Sequence, residues 1–221
     1  MRQLPTDKRF VNKRALDRIN HLRNTLNRKH GQFADVNTKI GSFLDLGCGN
    51  AEITFDIAQT LHIPHVYGAD VYPRNDYKQP NSESNIIYKQ VIDNSIDLPD
   101  NSIDLVTCFM TIHHFENFDK MMSEICRILK PNGWFFFREH DVHHLNMDLK
   151  QFLDEKHLEY PDHPGGTINY WERCQLRNEL EDKYNFKHYG DSDYPKNVKN
   201  VQAIYHSVYL YAPNGGLKSQ S

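Results

Sequence analysis

The stretch Phe43-Leu44-Asp45-Leu46-Gly47-Cys48-Gly49-Asn50-Ala51-Glu52 reads as an apolar strand that passes through a Gly-x-Gly turn straight into a helix. Glycines at such a turn let backbone approach a ligand and adopt conformations that a side chain forbids. Asp70 follows Gly49 by 21 residues, at the end of the next apolar run. In doubly wound sheets an acidic residue there hydrogen-bonds ribose hydroxyls. The two features together point to an adenosine-type ligand. Glu52 stands where a dinucleotide fingerprint needs its third glycine, which disfavours NAD, and no Gly-Lys-Ser/Thr follows to make a P-loop. Cys48 reads as a small residue at a tight turn.

A second group with chemical potential lies further on. His113, His114, Glu139 and His140 follow two later apolar runs and are candidates for a general base. His113 and His114 equally suit a helix start, where they would pack and cap. His140, Asp141, His143 and His144 form a His-x-x-His-His set with an acid, which can supply three metal ligands. Histidine-rich surface loops are commonplace, and no metal is expected.

The elements that must position these groups alternate along the chain. Val11, Ala15, Ile19, Leu22 and Leu26 recur at helical spacing, with Lys13, Arg14, Arg18, Arg23 and Arg28 on the other faces and Gly31 as the stop. This predicts a basic amphipathic helix over 1–32. A helix from near Ala51 is marked by Ile53, Ile57, Ala58 and Leu61, and strands are expected at 41–46, 65–70, 86–92 and 103–110. Their near-continuous apolar character suits parallel strands covered on both faces. Phe118, Met121, Met122, Ile125, Ile128 and Leu129 give a further helix, turned by Pro131-Asn132-Gly133 into the strand Trp134-Phe135-Phe136-Phe137. Residues 138–169 read as an irregular polar insertion over the sheet, rich in histidine, with a Pro-Gly-Gly turn at 164–166. A helix over 170–184 and strands over 186–189 and 204–211 close the chain, the last alternating like an antiparallel edge. The expectation is one α/β domain over 33–213, a doubly wound, Rossmann-like, mostly parallel sheet of seven strands with an antiparallel edge strand, and a flexible tail over 214–221.

Composition agrees. The 221 residues are 38% hydrophobic and 25% charged, which excludes disorder throughout, collagen and coiled coil. No apolar run approaches a membrane span and the first residues lack a secretory h-region, so a cytoplasmic protein is expected. Cys48, Cys108, Cys126 and Cys174 have no CxxC spacing, so neither a disulfide framework nor a zinc site is suggested. The net charge of −3 conceals nine Lys or Arg against two Asp in residues 1–30. This basic arm is either a solvated helix face or a surface for phosphates, nucleic acid or another anion, with Arg14, Arg18 and Arg23 as its candidate contacts.

Asp45-Leu46-Gly47-Cys48-Gly49, Asp70, Leu98-Pro99-Asp100-Asn101-Ser102-Ile103-Asp104-Leu105-Val106, Ile112-His113-His114 and Leu129-Lys130-Pro131-Asn132-Gly133 occur in an order that resembles the class I S-adenosylmethionine-dependent methyltransferases. The resemblance covers about residues 40–140, and Arg138-Glu139-His140-Asp141 resembles methyltransferases encoded by viruses. It implies S-adenosylmethionine as cofactor and S-adenosylhomocysteine as product. It sets Asp45, Gly47, Cys48 and Gly49 beside the methionine part and ribose, Asp70 with Val71 on the ribose hydroxyls, and Asp93 with Asn94 at the adenine. Asp97 is the competing adenine candidate. Cys108 and Phe109 are placed near the sulfonium and acceptor, where Phe109 either offers its aromatic face to the cation or is core.

The segment after residue 108 lacks the Asn-Pro-Pro-Tyr-like run of amino-methylating DNA enzymes, the Pro-Cys of C5-pyrimidine enzymes and the aspartate of ribose 2′-O enzymes. A small-molecule acceptor, with 138–169 as the lid that selects it, is the leading reading. The alternative is RNA, since 109–116 loosely resembles cap guanine-N7 methyltransferases and the basic helix suits phosphates. A protein acceptor, or a catalytically inactive binding subunit on the same fold, completes the set. A partner protein is not indicated.

Overall fold

The computed structural model describes residues 13–30, 40–73, 85–143, 147–158, 168–193 and 204–213. Val11, Gly31, His144, His163, the 164–166 turn and the tail from 214 lie outside the described residues. The order is α1 (Lys13–His30), β1 (Ser42–Leu46), α2 (Glu52–Leu61), β2 (His65–Asp70), β3 (Ile86–Ile92), β4 (Ser95–Ile96), β5 (Ile103–Phe109), a 3₁₀ turn (Ile112–His114), α3 (Phe118–Ile128), β6 (Leu129–His140), α4 (Met147–Leu158), α5 (Arg173–Tyr184), β7 (Phe186–Asp193) and β8 (Ile204–Tyr211).

The strands form one sheet in the order β4-β3-β2-β1-β5-β6-β8-β7. β1, β2, β3, β5 and β6 are parallel, and β8 runs antiparallel to both β6 and β7. Chain order reverses between β1 and β5, the switch point at which doubly wound sheets open a crevice beyond the strands' C-terminal ends. The sheet has eight strands rather than seven, because Ser95-Ile96 pairs back on β3 as a two-residue hairpin arm. β8 is also not the edge: it lies between β6 and β7, and its middle six residues are buried, so β7 forms the edge.

Side-chain alternation along β6 divides the core. Trp134 and Phe136 pack with Ala15, Ile19 and Leu22 of α1 and Ile57 and Leu61 of α2 on one face. Phe135 and Phe137 pack with Met122, Ile125 and Ile128 of α3 and Leu176 and Leu180 of α5 on the other. Each fully buried ring contributes about 1.5–3 kcal/mol by leaving water. The Asn117 side chain caps α3 by accepting the Lys120 N–H. Leu129 already pairs with Ile103 in the sheet, and Lys130 to Gly133 bulge out before Trp134 rejoins opposite Leu105. Asn132 takes the left-handed conformation that turn requires, at φ 67°.

Two expectations are corrected. The 138–169 segment is not irregular throughout: β6 runs on to His140, and Met147–Leu158 is a helix whose Leu149 and Leu153 pack with Val142 in a small separate cluster. The closing helix begins at Arg173, since the preceding residues are extended and tied down by Val142 N–H to Trp171 O and Asn169 N–H to His113 O. Among the described residues no helix is long and apolar enough to cross a membrane.

Candidate active site

A cavity of about 960 Å³ opens at the switch point, lined from β1 by Leu46 and Gly47 and from β2 by Asp70 and Val71. The β3 end adds Val91, Asp93 and Asn94, and the segment after β5 adds Met110, Thr111, His113 and His114. Gly47 adopts φ 74°, and a Cβ there would lie 2.3 Å from Thr111 Oγ1, so only glycine lets the turn pass under Thr111. Gly49 donates its N–H to Asp70 Oδ2 at 2.9 Å, which joins the turn to the β2 end. Asp93 and Asn94 occupy the left-handed positions of the β3–β4 hairpin, at φ 52° and 62°. Asp97 is instead bound by Lys89 at 2.7 Å on the surface, and it does not line the cavity.

Several sequence-derived residues stand behind the cavity wall. Asp45 is 3% exposed and accepts the Thr54 and Thr107 hydroxyls, each at 2.6 Å. Burial raises its pKa against those hydrogen bonds and the nearby Arg18 charge. Cys48 is buried under Gly68, as suits a small residue at a tight turn. Cys108 is fully buried in the apolar core, where burial, then Glu139 and Asp45, drive its thiol pKa well up. Phe109 turns its ring to the Arg18 guanidinium, 4.6 Å from the centroid, so one aromatic face already carries a cation.

Arg18 corrects the reading of the basic helix. It is only 4% exposed and lines the cavity with Arg14, while Arg23 does not. Burial and the neighbouring Arg138 lower its pKa to about 10, against Asp45 and Asp17.

The far side of the cavity is a histidine cluster. His113 Nδ1 meets Glu139 Oε1 at 2.6 Å in a pair of which both members are buried, and Glu139 also accepts the backbone N–H of His113 and His140. Burial alone would raise the Glu139 pKa, but the His113 charge and hydrogen bond, with His140, hold it below the usual carboxylate range. His113 Nε2 lies 3.1 Å from His157 Nε2, and the His114 ring packs against that of His113 at a tilt of 50°, centroids 4.1 Å apart. His140 is depressed to about 4, by burial first and then by its neighbouring cations, against Glu139. His113, His114, His140 and His157 all line the cavity, whereas Glu139 sits behind them. Of the histidine-rich set Asp141 and His143, the first instead accepts from Arg173.

Sequence reasoning missed His157 as a site residue. Leu149, Leu153 and His157 fall at successive steps of four on α4, one stripe of the helix, and Leu153, Lys156 and His157 all reach the cavity.

The comparisons with known proteins agree with this geometry. A protein-family model described as a methyltransferase domain matches residues 9–189. An uncharacterised methyltransferase of Bacillus subtilis, YcgJ, is 28% identical over 102 residues, 44% of this chain and 40% of that protein. An uncharacterised methyltransferase-like protein of Schizosaccharomyces pombe is 29% identical over 156 residues, 62% of this chain. The matched segments span 40% and 60% of these two relatives' own lengths. Among solved structures, the PH0226 protein of Pyrococcus horikoshii superposes with a TM-score of 0.63 at 22% identity, covering 94% of this chain and 96% of that one. From the extent of the family match and a sheet order that carries the glycine turn at its switch point, the chain belongs to the methyltransferase-domain family, on the class I fold of the S-adenosylmethionine-dependent enzymes.

Proposed function

We propose that this chain transfers a methyl group from S-adenosylmethionine to a small acceptor that carries an anionic group. The observation behind the acceptor class is the inward turn of the basic helix: Arg18, 4% exposed, joins Arg14, Arg138 and Lys156 in the cavity wall rather than in an outer stripe. A polyanion such as RNA needs several cations on one accessible face. α4 stands over the same cavity through Leu153, Lys156 and His157, which suits it to the role of lid.

The residues fit the cofactor. Gly49, at φ 51°, has open space where a side chain would project, and Asp70 keeps acceptor capacity beyond its one bond from Gly49. Asp70 with Val71 would hold the ribose, and Asp93 with Asn94 the adenine, where a carboxylate accepts from an exocyclic amine and a backbone N–H donates to a ring nitrogen. When bound, the cofactor supplies a methyl group already activated by the sulfonium charge. The chain's own work is then alignment and exclusion of water, with His113, His114 and His140 positioned to receive the acceptor's proton.

Calorimetric titration with S-adenosylhomocysteine tests the reading. Micromolar binding that Asp70→Ala weakens at least about tenfold is the expected result, one tenfold step being about 1.4 kcal/mol. An absence of binding overturns it. Turnover on small anionic acceptors should vary little between low and moderate salt, while a steep decline with salt would favour RNA.

A further inference from the structure

His113 and His157 face each other through Nε2 at 3.1 Å, and the other nitrogen of each ring is already committed. His157 Nδ1 lies 2.6 Å from the Leu153 carbonyl oxygen, and His113 Nδ1 lies 2.6 Å from Glu139 Oε1. A carbonyl oxygen only accepts, so His157 Nδ1 carries its proton. An ionised Glu139 holds the His113 Nδ1 proton in the same way. Where both rings are neutral, each turns an Nε2 lone pair toward the other, and that contact is repulsive unless a cation lies between them. A proton would satisfy two rings, but a third is present. His140 is 5% exposed, its Nδ1 has no hydrogen-bond partner, and ligand nitrogens from all three rings lie within 4.8 Å of one another.

We propose that His113, His140 and His157 bind a divalent transition-metal ion that favours imidazole, zinc foremost, with Glu139 and the Leu153 carbonyl as the outer partners that fix two of the rings. Zinc–nitrogen bonds of about 2.0–2.1 Å in a tetrahedron set neighbouring ligand nitrogens about 3.3 Å apart, close to the separation of the first two rings. His140 completes the set by rotating toward the ion. A carboxylate behind a ligating histidine fixes its tautomer and raises its basicity, and Glu139 is placed for that task. Three protein ligands leave a fourth position open, and all three rings line the cavity, so that position faces the acceptor.

The role of the ion rests on the methyl-transfer reading. With the ion bound, His113 and His140 act as ligands rather than bases: a thiol or hydroxyl of the acceptor entering the open position would have its pKa lowered, its proton leaving to solvent before the heteroatom is used as nucleophile.

The test is equilibrium dialysis of the full chain against zinc, with affinity measured by competition against a chromogenic chelator and S-adenosylhomocysteine binding measured on the same samples. About one zinc per chain is expected, with affinity reduced at least about tenfold in His157→Ala and about 10–100-fold in Glu139→Gln. His65→Ala, at the exposed start of β2, should bind zinc like the unmodified chain. His157 lies half-buried on α4, so a thermal melt of its variant distinguishes a lost ligand from a lost fold. Failure of the unmodified chain to take up zinc overturns the proposal, as does unchanged zinc affinity in both variants. Zinc uptake without S-adenosylhomocysteine binding would keep the metal site and remove the methyl-transfer reading; the reverse would remove the metal site alone.

Discussion

The two ends of strand β1 each rest on an aspartate, and the two are held in opposite ways. At the end away from the cavity, Asp104 of β5 accepts the N–H groups of Gly41 and Ser42, the Ser42 hydroxyl and the Lys130 ammonium, all within 3.0 Å. Its burial would raise the pKa, but Lys130 and Ser42 bring it below the usual carboxylate value. At the cavity end, Asp45 has two threonine hydroxyls and a more distant Arg18, and burial raises it instead. Asp104 keeps 20% of its side chain exposed and a lysine partner, whereas Asp45 is 3% exposed with hydroxyl partners, and depth and partners act together to set the preferred charge state. The lower end is a charged clasp that fastens β1 to β5, while the upper end is a buried carboxyl beneath the glycine turn of the cavity.

The strongest test of that contrast is the glycine at each end. Gly47→Ala combines the left-handed backbone cost of about 1–2 kcal/mol with overpacking against Thr111 of about 1–3 kcal/mol. Gly41→Ala meets only Asp104 Oδ2 at 3.3 Å, so its loss in chemical denaturation should be much the smaller of the two. Equal losses would break the comparison.

Asp104→Ala comes next. It leaves two backbone N–H groups without their carboxylate and should cost about 1.5–3 kcal/mol at neutral pH, as hydrogen bonds to charged groups do. Because the folded pKa is depressed, that stability exists above the unfolded pKa and is lost as pH falls through the folded one. The gap between unmodified chain and variant should narrow in acid.

Asp45→Asn is expected to cost about 1–3 kcal/mol, since an amide cannot accept both hydroxyls as the carboxylate does. Here the sign is reversed: a raised folded pKa gives stability that is present below the unfolded pKa and lost as pH rises through the folded value. The unmodified chain should gain on this variant as pH falls. Asp45 does not line the cavity, so Asp45→Asn should disturb S-adenosylhomocysteine binding less than Asp70→Ala does. The smallest effect belongs to Lys130→Ala, whose side chain is 41% exposed, at up to about 1 kcal/mol.

The glycine turn, Asp70 and the strand alternation were legible because each is a local pattern written in consecutive residues. What the sequence obscured was tertiary. Arg18 lies three residues after Ala15 and four before Leu22, so its spacing put it on the apolar stripe, yet its charge suggested a solvated face. α4 gives only a faint helical signal, two buried leucines among polar residues, and without the helix the sequence offers no reason to single out His157. The cluster of His113, Glu139 and His157 joins residues 26 and 44 positions apart, which no local pattern can disclose.

Thr111 fills the space above Gly47 and is followed two residues later by His113. The glycine turn and the histidine cluster, both in the wall of the cavity, thus meet at one short, tightly packed segment. A change at Thr111 therefore reaches the glycine turn and the histidine cluster at once.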